Sequence, residues 1–169
     1  TPKRNLPPLV FQETANEDPV NRNTSLNEAQ AIADFVANHP EKSIGIITPF
    51  VAQKQLIDQE LSSRGVAATC GTVHTFQGDE KDIILFSFAQ TKRTAQNTYN
   101  WFAGNKELIN VAVSRAKEEL VIFSNSETLN RLRKDNDDLY ELVQYVKTKG
   151  EYKVTPKHSH FRALGVKTY

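Results

Sequence analysis

The chain has 169 residues, 38% hydrophobic and 24% charged, enough for one domain with an enclosed core. No run of about 18 apolar residues occurs, so no membrane partner is expected. With 21 basic against 20 acidic residues, the net charge of +1 excludes the overall positive footprint of a strongly basic nucleic-acid binder, and any such contact must be local.

In chain order, the opening TPKRNLPP has no methionine, nor has the rest of the sequence, which is expected to be a piece of a longer protein. Leu9-Val10-Phe11 suits a short strand. Ser25-Leu26-Asn27-Glu28 reads as an S-x-x-E capping box, after which Leu26, Ala29, Ile32, Ala33 and Val36 keep helical spacing up to Asn38-His39-Pro40. Ser43 to Ile47 is a β-branched run suited to a strand buried on both faces, and Thr48-Pro49 reads as an N-cap with a first-turn proline for a helix from Phe50 to Ser63. The stretch TCGTVHTF predicts a strand leading into a loop, FQGDEK a tight turn, and Asp82 to Phe88 another buried strand.

Gln90 to Gly104 lacks either period and is expected to be a long loop. Its Lys92-Arg93 pair and Trp101 read as a platform for stacking single strands or as a solvated charge pair and a loop anchor. A helix from Asn105 to Lys117, a strand from Leu120 to Phe123, and helices from Glu127 to Lys134 and Asp138 to Lys149 follow. Residues 1–150 form the expected domain, with the basic stretch 151–169 as extension or linker. Cys70, the only cysteine, excludes an internal disulfide and reads as a small buried residue; with no signal-peptide pattern, a reducing, intracellular setting is expected. His158 and His160 have no further ligand nearby in sequence, and no metal site is expected.

Strands alternating with helices predict an α/β fold, a mainly parallel sheet with helices on both faces, whose ligands gather at the carboxyl ends of the strands. One residue is out of place. In a helix through Asn110-Val111-Ala112-Val113-Ser114, Arg115 lies one heptad from Leu108 and beside the apolar Val111 and Ala112. A guanidinium there requires an anion or strong acceptors, and Glu118 or Glu119 would satisfy it as a plain salt bridge.

Three segments, IGIITPFVAQ (Ile44 to Gln53), TVHTFQGDEKDIILFS (Thr72 to Ser87) and NVAVSRAKEELVIF (Asn110 to Phe123), together resemble the motifs of the second RecA-like lobe of superfamily-1 helicases. The subgroup is the one containing the nonsense-mediated-decay helicase and helicase-nuclease relatives. The resemblance implies a three-layer RecA-like fold, ATP and Mg2+ bound mainly by a first lobe, and 5′ to 3′ movement on single-stranded nucleic acid, with DNA ahead of RNA but both left open by the residues, since backbone-directed contacts suit either. By it, Arg115 is an arginine finger facing a phosphate held on the other lobe. Glu80 is the carboxylate that takes a ribose hydroxyl, and Gly78 the turn that aims Gln77 and Glu80 into the cleft. Gln53 is a further candidate for the cleft. Thr72, His74 and Thr75 are implied to touch the nucleic-acid backbone, and Pro49 and Phe50 to face the strand.

The sequence also departs from the family. It has no phosphate-cradling G-x-x-x-x-G-K-[ST] and no acidic metal-holding motif, so this chain by itself is expected not to hydrolyse ATP. Lys106-Glu107-Leu108 stands where many relatives carry arginines. The alternative to a motor lobe is a non-catalytic, helicase-like module for nucleic-acid or protein interaction.

Overall fold

The computed structural model describes residues 8–17, 21–76 and 78–156; Gln77, His158 and His160 lie outside them. Six parallel strands form one sheet: β1 (Leu9–Glu13), β2 (Ile44–Ile47), β3 (Thr69–Gly71), β4 (Lys81–Ser87), β5 (Ala116–Ser124) and β6 (Glu151–Val154), in the order β3-β2-β4-β5-β1-β6. Among the described residues, six helices join them: α1 (Leu26–Ala37), α2 (Val51–Ser63), α3 (Gln96–Ala103), α4 (Lys106–Arg115), α5 (Ser126–Leu132) and α6 (Asp138–Lys149). A 3₁₀ turn spans Val73–Phe76.

The two-residue period of the strands divides the core into two layers. Val10, Ile44, Ile46, Ile83, Leu85, Val121 and Phe123 face α1 and α2. Phe11, Ile47, Ile84, Phe86, Leu120 and Ile122 face the opposite way, packed with Phe76, Tyr99, Phe102, Leu108, Ala112 and Val143 of the 3₁₀ turn, α3, α4 and α6. Since both faces are covered, the central strands read as continuous apolar runs. This is the expected α/β, three-layer arrangement.

Several elements differ from the sequence reading. Ser25 does cap α1, its hydroxyl accepting from the Glu28 amide at 3.2 Å. The capping box is only half realised, because the Ser25 amide goes to Gln53 Oε1 at 2.8 Å and Glu28 turns inward. Helix α2 starts at Val51 with Phe50 as N-cap, so Pro49 sits before the cap rather than in the first turn. The 90–104 stretch is not all loop: α3 occupies its second half, held by buried Tyr99 and Phe102. Its eight residues bury too few apolar positions to show a period. Glu151–Val154, read as part of an unpatterned extension, pairs with β1 as an edge strand, Tyr152 stacking on Phe11 at 5.9 Å. An exposed edge strand has no apolar alternation to display.

Helix α4 runs into β5 without a connecting residue, two residues earlier than the expected helix end. Where the two meet, Lys81 pairs with Ala116 and Ile83 with Glu119, so β5 carries one extra residue, a bulge beside Arg115.

Candidate functional site

The candidate residues fall into two groups at opposite ends of the strands. Pro49 and Phe50 follow β2, and Thr72, His74 and Thr75 follow β3, its neighbour in the sheet. Both sets are therefore at the carboxyl edge. Gly78 and Glu80 precede β4 and Arg115 precedes β5, also neighbouring strands, at the amino edge. The expectation that the informative residues lie after strands holds for the first group alone.

The segment from Thr72 to Phe76 connects the two. It leaves β3 at the carboxyl edge, the Thr75 amide donating to the Thr72 carbonyl at 3.1 Å, and seats the Phe76 ring against β2. Gly45 makes this possible: a Cβ there would stand 2.6 Å from the Phe76 ring. The Phe76 carbonyl then accepts from Arg115 Nε at 2.8 Å, and Arg115 Nη1 donates to Ser114 Oγ at 3.1 Å.

Arg115 is half-buried, and no ion pair to a carboxylate is found for it among the described residues. Glu118, one of the two carboxylates named for it, pairs with Lys42 at 2.6 Å. The anion that the helix pattern calls for is therefore not supplied by that neighbour; a backbone carbonyl orients the guanidinium instead. Glu80 is exposed, and Gly78 is exposed with a φ of 77°, a left-handed turn that side chains rarely adopt, with no atom within 4 Å of its missing Cβ. Among the described residues, no group of three or more His, Cys, Asp or Glu is gathered as metal ligands.

At the carboxyl edge His74 and Thr75 are exposed and Thr72 is half-buried, which leaves hydroxyls and an imidazole open to a phosphate backbone. Pro49 and Phe50 are buried. Phe50 offers no open face for stacking; it lies behind Trp101, with ring centroids 5.9 Å apart. Trp101 in turn is 55% exposed, with its ring against the buried Phe50.

Gln53 belongs to neither group. It is fully buried; its Nε2 donates to the Ser25 carbonyl and to Ser87 Oγ, both at 3.1 Å, while Oε1 accepts from the Ser25 amide. Both ends of the amide are used, so the expectation of a cleft contact is corrected to a structural one.

Gln53 is part of a buried polar network that the sequence did not reveal. Glu28 Oε1 accepts from Ser87 Oγ at 2.7 Å and from the Ala89 amide at 2.9 Å, and its other oxygen accepts from Asn16. Asn16 Oδ1 accepts from Thr14 and Ser25 hydroxyls at 2.6 and 2.8 Å. Asn16 and Ala89 both hold left-handed backbone, φ 46° and 55°, conformations that cost energy outside glycine. Burial pushes the Glu28 carboxyl up to about 7, against the opposing pull of the bonds from Ala89, Ser87 and Asn16. The S-x-x-E spacing was the only trace of this network, and it pointed to a cap.

Residues 6–127 match the family model described as an AAA domain. DNA polymerase alpha-associated DNA helicase A of Saccharomyces cerevisiae is 34% identical over 132 residues, covering 72% of this chain and 18% of the relative. A DNA replication ATP-dependent helicase/nuclease of Arabidopsis thaliana is 33% identical over 105 residues, 62% of this chain and 8% of the relative. The probable RNA helicase armi of Drosophila melanogaster is 38% identical over 104 residues, 58% and 9% respectively. The chain thus spans less than a fifth of the length of these relatives. The C-terminal domain of a possible DNA helicase from Lactobacillus plantarum shares the fold, with a TM-score of 0.50 at 16% identity over 90% of this chain and 86% of that one. The chain belongs to the AAA domain family, among its superfamily-1 helicase relatives, with the α/β fold of their second RecA-like lobe.

Proposed function

We propose that this chain is the C-terminal motor lobe of an ATP-dependent superfamily-1 helicase that moves 5′ to 3′ on single-stranded nucleic acid, DNA rather than RNA. The observation that carries the reading is the direct link between the two residue groups. Five residues, Thr72 to Phe76, run from the strand-facing edge to the carbonyl that orients Arg115. A shift in the grip on a backbone phosphate at one end displaces the guanidinium at the other.

In this reading the first lobe holds ATP and Mg2+, and closure brings Arg115 against the phosphates. The finger stabilises charge on the transferring group, and the carbonyl of Phe76 fixes its direction beforehand. Glu80 accepts from a ribose hydroxyl, a task suited to an ionised carboxylate at an exposed turn. Thr72, His74 and Thr75 donate to backbone oxygens without reading bases, which suits movement along any sequence. The first lobe of the same protein is the proposed partner.

The test is Arg115→Ala and Arg115→Lys in the full-length protein. Nucleic-acid-stimulated ATPase should fall by about 10³-fold or more in both, since a lysine lacks the planar fork. Affinity for a single-stranded oligonucleotide without ATP should stay within about twofold of wild type. Undiminished ATPase in Arg115→Ala would overturn the finger, whereas a wild-type full-length protein without ATPase would favour the non-catalytic module.

A further inference from the structure

The carboxyl edge continues past the residues already named. Beyond β3 and β2, the next strand is β4, and the chain leaving it builds a cavity of about 590 Å³ lined by Asn21, Arg22, Thr91, Arg93, Thr94 and Thr98. Its wall is polar and carries two arginines. Arg131 Nη2 donates to the carbonyls of Thr91, Lys92 and Thr94 at 3.1 to 3.2 Å, so three acceptors of this turn are already occupied. Ala95, which also lines the cavity, is the N-cap of α3 and supplies no side-chain acceptor to the first amides of that helix. Hydroxyls, guanidinium groups and the positive end of a helix dipole thus meet at one opening.

Three residues after Thr98, on the same face of α3, comes Trp101. The helix rises only about 4.5 Å over that interval. Tyr99 and Phe102 fix α3 to the core, the Tyr99 hydroxyl donating to Asp137 at the start of α6, while Trp101 stays 55% exposed with Phe50 behind it and Val51, 62% exposed, following Phe50 in the chain. An indole backed by Phe50 and 55% exposed in front can stack, and a cavity lined by Arg22 and Thr98 one turn away can take an anion. Adjacent nucleotides of a single strand present that pair.

We propose that α3 is a second grip on the single strand: Trp101 stacks a nucleobase, and the cavity around Arg22 and Thr98 takes the phosphate of the next nucleotide. This rests on the motor-lobe reading, to which it adds a base-contacting element in line with Thr72 and His74. Stacking makes the grip tolerant of base identity, and the cavity makes it salt-dependent.

The experiment measures binding of a fluorescent oligo(dT) to the full-length protein without ATP, across a salt series. Trp101→Ala should weaken binding about tenfold and Trp101→Phe much less, with unchanged thermal unfolding in both. Arg22→Ala should lower the slope of log affinity against log salt by about 0.7. Affinity of Trp101→Ala equal to wild type would overturn the grip, as would equal losses in Trp101→Ala and Trp101→Phe accompanied by lower thermal stability. A fall in ATPase at unchanged affinity would assign Trp101 to a protein contact and also overturn it. Thr72→Ala separates the two readings: if it weakens binding and Trp101→Ala does not, the grip alone fails. A wild-type protein that binds no oligonucleotide removes both.

Discussion

Arg115 and Glu28 are two charged side chains on helices, and their surroundings give them opposite tasks. Arg115 ends α4 with its guanidinium aimed by one carbonyl and no ion pair found for it among the described residues, an arrangement that leaves it ready for an external anion. Glu28, fully buried, is surrounded by neutral donors from Ser87, Ala89 and Asn16. Its carboxyl, raised from 4.5 to about 7, ionises later in the folded chain than in the unfolded one. It contributes stability that is complete below about pH 4.5 and is lost as pH rises to about 7, at about 1.4 kcal/mol per unit, or roughly 3 kcal/mol in all. Chemical denaturation at pH 5, 6, 7 and 8 should show this decline in wild type and a flatter profile in Glu28→Gln; parallel profiles would contradict it. Cys70 is a simpler case. Burial pushes its thiol up to about 12, so alkylation of the native chain at pH 8 should be far slower than that of the unfolded chain, as followed by mass spectrometry.

Among the elements, the 3₁₀ turn and α3 carry the function proposed for the chain, and neither has a strong pattern in the sequence. The turn depends on Gly45, since a methyl group there collides with the Phe76 ring. Gly45→Ala should cost about 1–3 kcal/mol in denaturant unfolding, and in the full-length protein should lower ATPase and oligonucleotide affinity together, because the displaced turn feeds both edges. A variant with lowered stability but both activities intact would separate the turn from the coupling. Helix α3 depends on Tyr99, whose hydroxyl donates to the N-cap of α6. Tyr99→Phe should cost about 1 kcal/mol, with Asp137 still accepting from the amides of Lys134 and Tyr140, and should loosen Trp101. Hydrogen exchange of the α3 amides, faster in the variant than in wild type, is the check.

At the scale of the whole molecule, the proposed motor lobe is one half of a composite machine, and on that reading its 169 residues by themselves should neither hydrolyse ATP nor hold it tightly. Turnover by the purified chain, lost on Arg115→Ala, would refute that. The sequence by itself determined the α/β class, the order of most strands and helices, Arg115 as an anomaly, and the family. These are legible because buried parallel strands, apolar helix faces and motif residues are encoded locally. Only the tertiary structure decided that Gln53 is spent in the core, that Pro49 and Phe50 are covered, that α3 exists, and that the candidate residues divide between the two ends of the sheet. Each of those depends on what packs against a residue from a distant part of the chain. Burial and hydrogen-bond partners set the chemistry of a polar side chain, and no local pattern records them.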